Sequence, residues 1–119
     1  MTTMAQPRTR LRELNDACRT GHDPTARMTV TATCLAAISP ADNPLGRALG
    51  MSILQSALRG FTFPPGDRSD RDMGWLTIGD TRVMWKIDYY DAALKWGSED
   101  PTDPARTTRV LTAMLLQDY

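Results

Sequence analysis

Residues 73–91, Met-Gly-Trp-Leu-Thr-Ile-Gly-Asp-Thr-Arg-Val-Met-Trp-Lys-Ile-Asp-Tyr-Tyr-Asp, constrain the fold more than any other part of the chain. Apolar and β-branched residues alternate on both sides of Gly79-Asp80, a pair suited to the two-residue turn of a β-hairpin. Such a turn sets Ile78 opposite Thr81, Leu76 opposite Val83 and Gly74 opposite Trp85. One face then carries Leu76, Ile78, Val83, Trp85, Ile87 and Tyr89, and it has to be covered. The other carries Trp75, Thr77, Arg82, Met84, Lys86, Asp88 and Tyr90, a mixture that suits water or a partner better than a closed interior.

The flanking segments read as the cover for the first face. Leu11, Leu14, Ala17 and Cys18 recur at helical spacing and predict a helix over 9–20, stopped by Gly21. Val30, Ala32 and Cys34 alternate with Thr29, Thr31 and Thr33, the period of a half-buried strand over 28–35, which is expected to be the third strand of the sheet. A helix is expected over 45–61 through Leu49, Ile53, Leu54 and Leu58. Residues 62–72 hold two prolines, a glycine and five charges, so they read as a surface loop. Asp103-Pro104 looks like a helix start, with Asp103 as N-cap, Pro104 at the first helical position, and Val110, Leu111, Met114 and Leu115 as the buried stripe. Arg106, Arg109 and Gln117 then fall on its outer side.

These elements predict an α+β fold: a small two-layer domain with a short, mainly antiparallel three-stranded sheet and about three helices. At 119 residues the chain is one domain, 1–119, with 1–7 expected to be a flexible tail. It is long enough to bury roughly two-thirds of its unfolded surface. No stretch approaches the run of about 18 apolar residues that a membrane span needs, and the first residues lack the apolar core of a signal peptide, so a cytoplasmic location and no membrane partner are expected.

Fourteen basic residues balance fourteen acidic ones, which argues against a whole-molecule nucleic-acid binder or mimic. The charge is uneven, however. Residues 1–60 hold seven Arg against four acidic residues, whereas residues 80–103 hold three basic against six acidic residues. Arg8, Arg10, Arg12 and Arg19 lack interleaved aromatics and read as a solvated helix face, with phosphate contact as a weaker reading. Cys18 and Cys34 match no zinc or redox spacing and are expected to be buried free thiols. His22, the single histidine, reads as a solvated loop residue. No dinucleotide fingerprint, phosphate-binding loop or zinc-protease motif occurs, and no cofactor is expected.

Asp88, Asp91, Glu99, Asp100 and Asp103 form the main concentration of carboxylates. Three of them, Asp88, Asp91 and Asp100, are enough to begin a hard-cation or acid/base site, although their spacing fits no calcium loop. A network of structural turns and a partner-binding patch account for the same residues. The aromatics Trp75, Tyr90 and Trp96 beside Lys86 favour the patch, because aromatics with adjacent charge are typical interface anchors. The expected partner-binding set is Trp75, Lys86, Asp88, Tyr90, Asp91, Trp96, Glu99 and Asp100.

The run Trp85-Lys-Ile-Asp-Tyr-Tyr-Asp91, the segment Trp96-Gly-Ser-Glu-Asp-Pro-Thr-Asp-Pro104 and the segment Thr107-Thr-Arg-Val-Leu-Thr-Ala-Met-Leu115 resemble the bacterial family called domain of unknown function 3768. Leu11-Arg-Glu-Leu-Asn-Asp-Ala17 resembles that family's opening. Where the family commonly has Glu-His-Asp-aromatic-Gly before the hairpin, this chain has Asp70-Arg71-Asp72-Met73-Gly74, which removes the imidazole from that place. The resemblance implies a small protein of the kind met on plasmids and phages. The resulting expectation is a non-enzymatic protein that binds a macromolecule. One such protein is a host-defence inhibitor of anti-CRISPR type, docked on a basic surface of a protein or ribonucleoprotein complex without touching nucleic acid directly. The alternative is a small metal-dependent or acid/base hydrolase or nuclease using Asp88, Asp91 and Asp100.

Overall fold

The structure is a computed structural model that describes residues 7–119. Its elements are α1 (Pro7–Thr20), β1 (Arg27–Val30), α2 (Ala32–Ile38), α3 (Pro44–Gly60), β2 (Met73–Ile78), β3 (Thr81–Tyr90), β4 (Thr108–Met114) and a terminal 3-10 turn (Leu116–Asp118). Pro7, expected to belong to a flexible tail over 1–7, opens α1 instead, and residues 1–6 lie outside the described residues.

The β2–β3 hairpin has the register its sequence predicts, with Ile78 opposite Thr81, Leu76 opposite Val83 and Gly74 opposite Trp85. Gly79 takes the positive φ, +59°, that the turn demands. Gly74 has a packing reason as well. A Cβ there would lie 2.9 Å from ring atoms of Trp85 and Phe61, so the missing side chain is the slot for the Trp85 indole. Phe61 and Phe63 meet that indole edge to face, with ring centres 5.5 and 6.1 Å away. Around them, Val83, Ile87, Leu111 and Ala113 from the sheet pack against Cys18, Cys34, Ile38, Leu54 and Leu58 from the helices.

The sheet has four strands in the order β1-β4-β3-β2, and β1 runs parallel to β4, so it is mixed rather than three-stranded and mainly antiparallel. The helix expected after Asp103-Pro104 is strand β4 instead. Asp103 Oδ1 accepts from the amide of Ala105 at 3.0 Å, which closes a local turn and caps no helix. From Thr108 the chain fills the gap between β1 and β3, with Arg109, Leu111 and Ala113 buried on the core face and Thr108, Val110 and Thr112 half-buried on the other. The helical stripe of Val110, Leu111, Met114 and Leu115 mixes both faces of the real strand. Period two was present, and the cap signal masked it.

The strand expected over 28–35 stops at Val30. Thr31 turns the chain by accepting the Cys34 amide at 3.3 Å as the N-cap of α2, and the helix formers Ala32, Leu35, Ala36 and Ala37 follow. One four-residue step apart along that helix, Cys34 and Ile38 both enter the core. Every helix thus contributes to the same side of the sheet, and the opposite face carries none of them. No helix among the described residues is long and apolar enough to cross a membrane.

Candidate functional site

The helix-free face of the sheet presents Trp75, Lys86, Asp88 and Tyr90 together, as the hairpin alternation requires. From Met84, the residue level with Trp75, to Tyr90 the strand runs about 20 Å, so these four side chains span one long face rather than a single point. Lys86 Nζ donates to Asp88 Oδ2 at 2.5 Å and neutralises it. Trp75 is half-buried with the Arg82 guanidinium 5.2 Å above its ring centre. Met84, expected to be open to a partner, is instead buried with its cross-strand neighbour Met114. The 62–72 loop does not cover this face. It is tied to α1 on the helix side, where Arg12 donates to the Asp67 carbonyl at 3.0 Å and Asn15 to the Asp70 carbonyl at 2.9 Å.

Beyond Tyr90 the chain folds back on itself. The Asp91 amide donates to the Trp96 carbonyl at 2.8 Å and the Ser98 amide to the Tyr89 carbonyl at 3.0 Å, around a Tyr90–Gly97 bridge. This reversal stands Trp96 out at 75 % exposure. Asp91, Trp96, Glu99 and Arg106 wall a hollow of about 400 Å³ beside the end of β3. Leu94, in the tip of the reversal, holds φ +60°, a strained value for a branched side chain.

The carboxylates are mostly engaged. Asp91 Oδ1 accepts the Lys95 amide at 2.9 Å, and Glu99 pairs with Arg106 at 3.1 Å. Asp100 Oδ1 accepts both the amide and the hydroxyl of Thr102, and those bonds hold its carboxyl below the usual aspartate range. Asp100 faces its own turn and does not line the hollow. Asp88, Asp91 and Asp100 are not brought together, and among the described residues no group of three His, Cys, Asp or Glu side chains is placed to hold a metal ion.

Two residues that sequence reasoning overlooked hold this loop in place. Arg109, expected on the outside of a helix, is 1 % exposed on the core face of β4. Its Nε donates to Asn15 Oδ1 at 2.8 Å, a terminal nitrogen donates to the Pro101 carbonyl, and the guanidinium lies 5.1 Å from the Tyr89 ring centre. Asn15 in turn donates to the Tyr89 hydroxyl at 2.8 Å. Burial lowers the Arg109 pKa and raises that of Tyr89. Helix α1, both central strands and the acidic loop therefore meet at one neutral-oxygen network. Only knowing that 108–114 is a strand reveals it, because strand alternation is what turns Arg109 inward.

The remaining candidates separate. Arg8, Arg10, Arg12 and Arg19 form no common basic patch, because each pairs with its own carboxylate: Asp70, Glu13, Asp67 and Asp16. Arg19 lies on no solvated face; it donates to the carbonyls of Leu58 and Phe61 and is largely buried against Phe61 and Phe63. Arg71 binds Asp16 at 2.6 Å and lies over Phe63. His22 is exposed and meets the Thr20 hydroxyl through Nδ1 at 2.8 Å. Both cysteines are free and buried, and burial pushes the Cys18 thiol up to about 12.

A family model described as Protein of unknown function (DUF3768) matches residues 53–118, from the second half of α3 to the terminal 3-10 turn. No curated protein and no solved structure matches the chain.

Proposed function

The chain belongs to this family of unknown function, and on that premise we propose that it is a non-enzymatic binding protein whose partner is a basic macromolecular surface. The observation that carries the reading is Trp96, which stands 75 % exposed on a hollow it shares with Asp91 and with the Glu99–Arg106 ion pair. A large exposed indole next to carboxylates suits a guanidinium or ammonium group, which can stack on the ring while the carboxylates take its hydrogen bonds. Lys86, Asp88, Tyr90 and Trp75 on the helix-free sheet face supply the rest of a docking area in this reading. Residues 91–106 carry four carboxylates against Lys95 and Arg106, so the loop is locally acidic on a chain of zero net charge.

An inhibitor of a host-defence effector, of anti-CRISPR type, is the specific form we propose, with the acidic loop occupying a basic groove of a protein or ribonucleoprotein complex. The test is titration of the pure protein into purified CRISPR effector complexes, with target cleavage and direct binding both measured. Wild-type protein is expected to bind and inhibit. Trp96→Ala and the pair Asp88→Lys with Asp91→Lys are each expected to weaken binding about tenfold or more, about 1.4 kcal/mol. Unchanged binding in both variants removes the acidic-loop reading. Calorimetric binding of a divalent cation that disappears in Asp88→Asn would transfer the assignment to a metal-dependent hydrolase or nuclease.

A further inference from the structure

Beside edge strand β1, the end of α1 and the last turns of α3 enclose a second hollow, of about 280 Å³. Its floor is apolar, made by Cys18 of α1, Met28 of β1 and Leu111 of β4, the last two being cross-strand neighbours. Gln55 and Arg59, one turn apart on α3, form a wall, and Arg27, the first residue of β1, stands at the sheet edge. Gly21 follows α1 at φ +83°, and a Cβ there would meet nothing within 4 Å, so the hollow is unobstructed on that side.

The charges around this hollow are unbalanced. Among the described residues, Arg27, Arg59 and Arg68 are the arginines without a carboxylate, hydrogen-bond or aromatic partner, and two of the three border this one hollow. The end of α3 does not account for Arg59. Arg19, which also lines the hollow, already donates to the Leu58 and Phe61 carbonyls there at 2.8 and 3.0 Å, and its own charge is met by Asp16. Burial dominates the rise of the Cys18 thiol and Asp23 adds to it, while Arg109 and Arg19 oppose it, so the charge of Arg109, held by neutral oxygens, reaches the floor as well. Asp23 is the carboxylate at the border, and its Oδ1 already accepts the amide and the hydroxyl of Thr25 at 3.0 and 2.8 Å. A free guanidinium in open water needs no partner. Two of them beside an apolar concavity are a different case, because their field is strengthened where a ligand displaces water.

We propose that this hollow binds a small organic anion, with an apolar body on Cys18, Met28 and Leu111 and a carboxylate or phosphate group held by Arg27 and Arg59. This goes beyond the binding reading above and does not rest on it, since Asp88, Asp91 and Trp96 take no part. Arginine suits the head group because its planar fork donates two parallel bonds to either oxyanion. Gln55 adds an amide that can donate to the same group. Size restricts the body. A hollow of about 280 Å³ lies at the lower end of the roughly 300–1,000 Å³ of small-molecule sites, and an aromatic ring alone fits a cavity of about 150 Å³, so the body is no larger than a ring or a short chain. Asp23 at the border repels a second negative charge and selects a ligand charged at one end only.

The experiment is titration of the isotope-labelled full chain with benzoate and with phenyl phosphate, followed by backbone amide shifts in NMR spectra. Saturable shifts are expected at Gly21, Met28, Gln55 and Arg59, with a dissociation constant of about 1 mM or tighter for at least one probe. Inorganic phosphate has the charge without the body, and benzyl alcohol has the body without the charge; each is expected to bind at least about tenfold more weakly. The tighter of the two probes identifies the head group as carboxylate or phosphate. Arg27 and Arg59 are exposed and unbonded, so Arg27→Ala with Arg59→Ala is expected to fold as the wild type does and to lose at least about tenfold in affinity. Gln55→Glu, which sets a carboxylate one turn from Arg59, is expected to lose affinity in the same way. Arg68→Ala, on the 62–72 loop, is expected to bind unchanged. Shifts that stay linear to about 20 mM with both probes overturn the proposal. Benzyl alcohol binding as tightly as the probes overturns it too, as does an affinity that survives the Arg27 and Arg59 pair or falls equally in Arg68→Ala.

Discussion

Arg109 carries its charge almost without exposure, and its partners are neutral oxygens rather than a carboxylate. Such a group is costly to strand, because every lost bond leaves a desolvated donor or acceptor behind. Asn15→Leu removes the Arg109 acceptor and the Tyr89 donor together, and a loss of about 3 kcal/mol in urea unfolding is expected. An unchanged midpoint would show that water replaces the amide without cost. Gly74 tests packing instead of polarity. Gly74→Ala drives a methyl into the Trp85 and Phe61 rings and is expected to cost about 1–3 kcal/mol by overpacking, with altered tryptophan fluorescence. Cys18 makes a chemical prediction: with its thiol pushed up to about 12 by burial, it stays unmodified by iodoacetamide at neutral pH until the protein unfolds. Each of these residues is ordinary in composition, and only its neighbours make it sensitive.

At the level of elements, the α2 start and the terminal 3-10 turn share one device. Asp118 accepts from the hydroxyls of Thr33 and Thr31 at 2.6 and 2.7 Å and from the Leu115 amide at 2.9 Å, and these bonds hold its carboxyl below the ordinary 3.8. A carboxyl depressed in the folded state favours folding while ionised, so its contribution is present above the ordinary value and is lost as pH falls through the lower folded one. Asp100 behaves in the same sense through Thr102. Denaturant midpoints are therefore expected to fall below about pH 4. Asp118→Asn lowers the plateau at neutral pH and flattens part of that fall; an identical pH profile in the variant would remove Asp118 from the account. The strained Leu94 tip is the complementary case, where Leu94→Gly relieves a positive φ and is expected to leave stability unchanged or raise it by about 1 kcal/mol. The elements that the sequence mispredicts, 28–35 and 104–117, are those where a local signal conflicted with a tertiary one. Alternating Thr residues hid an N-cap in the first, and Asp103-Pro104 imitated a helix start in the second.

Over the whole molecule, one layer of helices covers one face of a four-stranded sheet, and what remains open is a flat face, an acidic loop and an uncharged edge. Salt tests the proposed use of the loop. Partner binding through it is expected to weaken as ionic strength rises, mainly through slower association. A partner affinity independent of salt would count against the acidic loop. The hairpin, its register, its two faces and the cover supplied by α1 and α3 were determined by the sequence itself, because alternation, turn chemistry and helical spacing are local properties of adjacent residues. The same local logic placed Trp75, Lys86, Asp88 and Tyr90 on one face. The position of β4 between β1 and β3, the burial of Arg109 with Asn15 and the convergence of Asp91, Trp96 and Glu99 on one hollow were decided only by the tertiary structure. Their cause is non-local: the long strand β3 needed a backbone partner on its second side, and the segment that filled that place was chosen by the pairing available to it rather than by its own propensity.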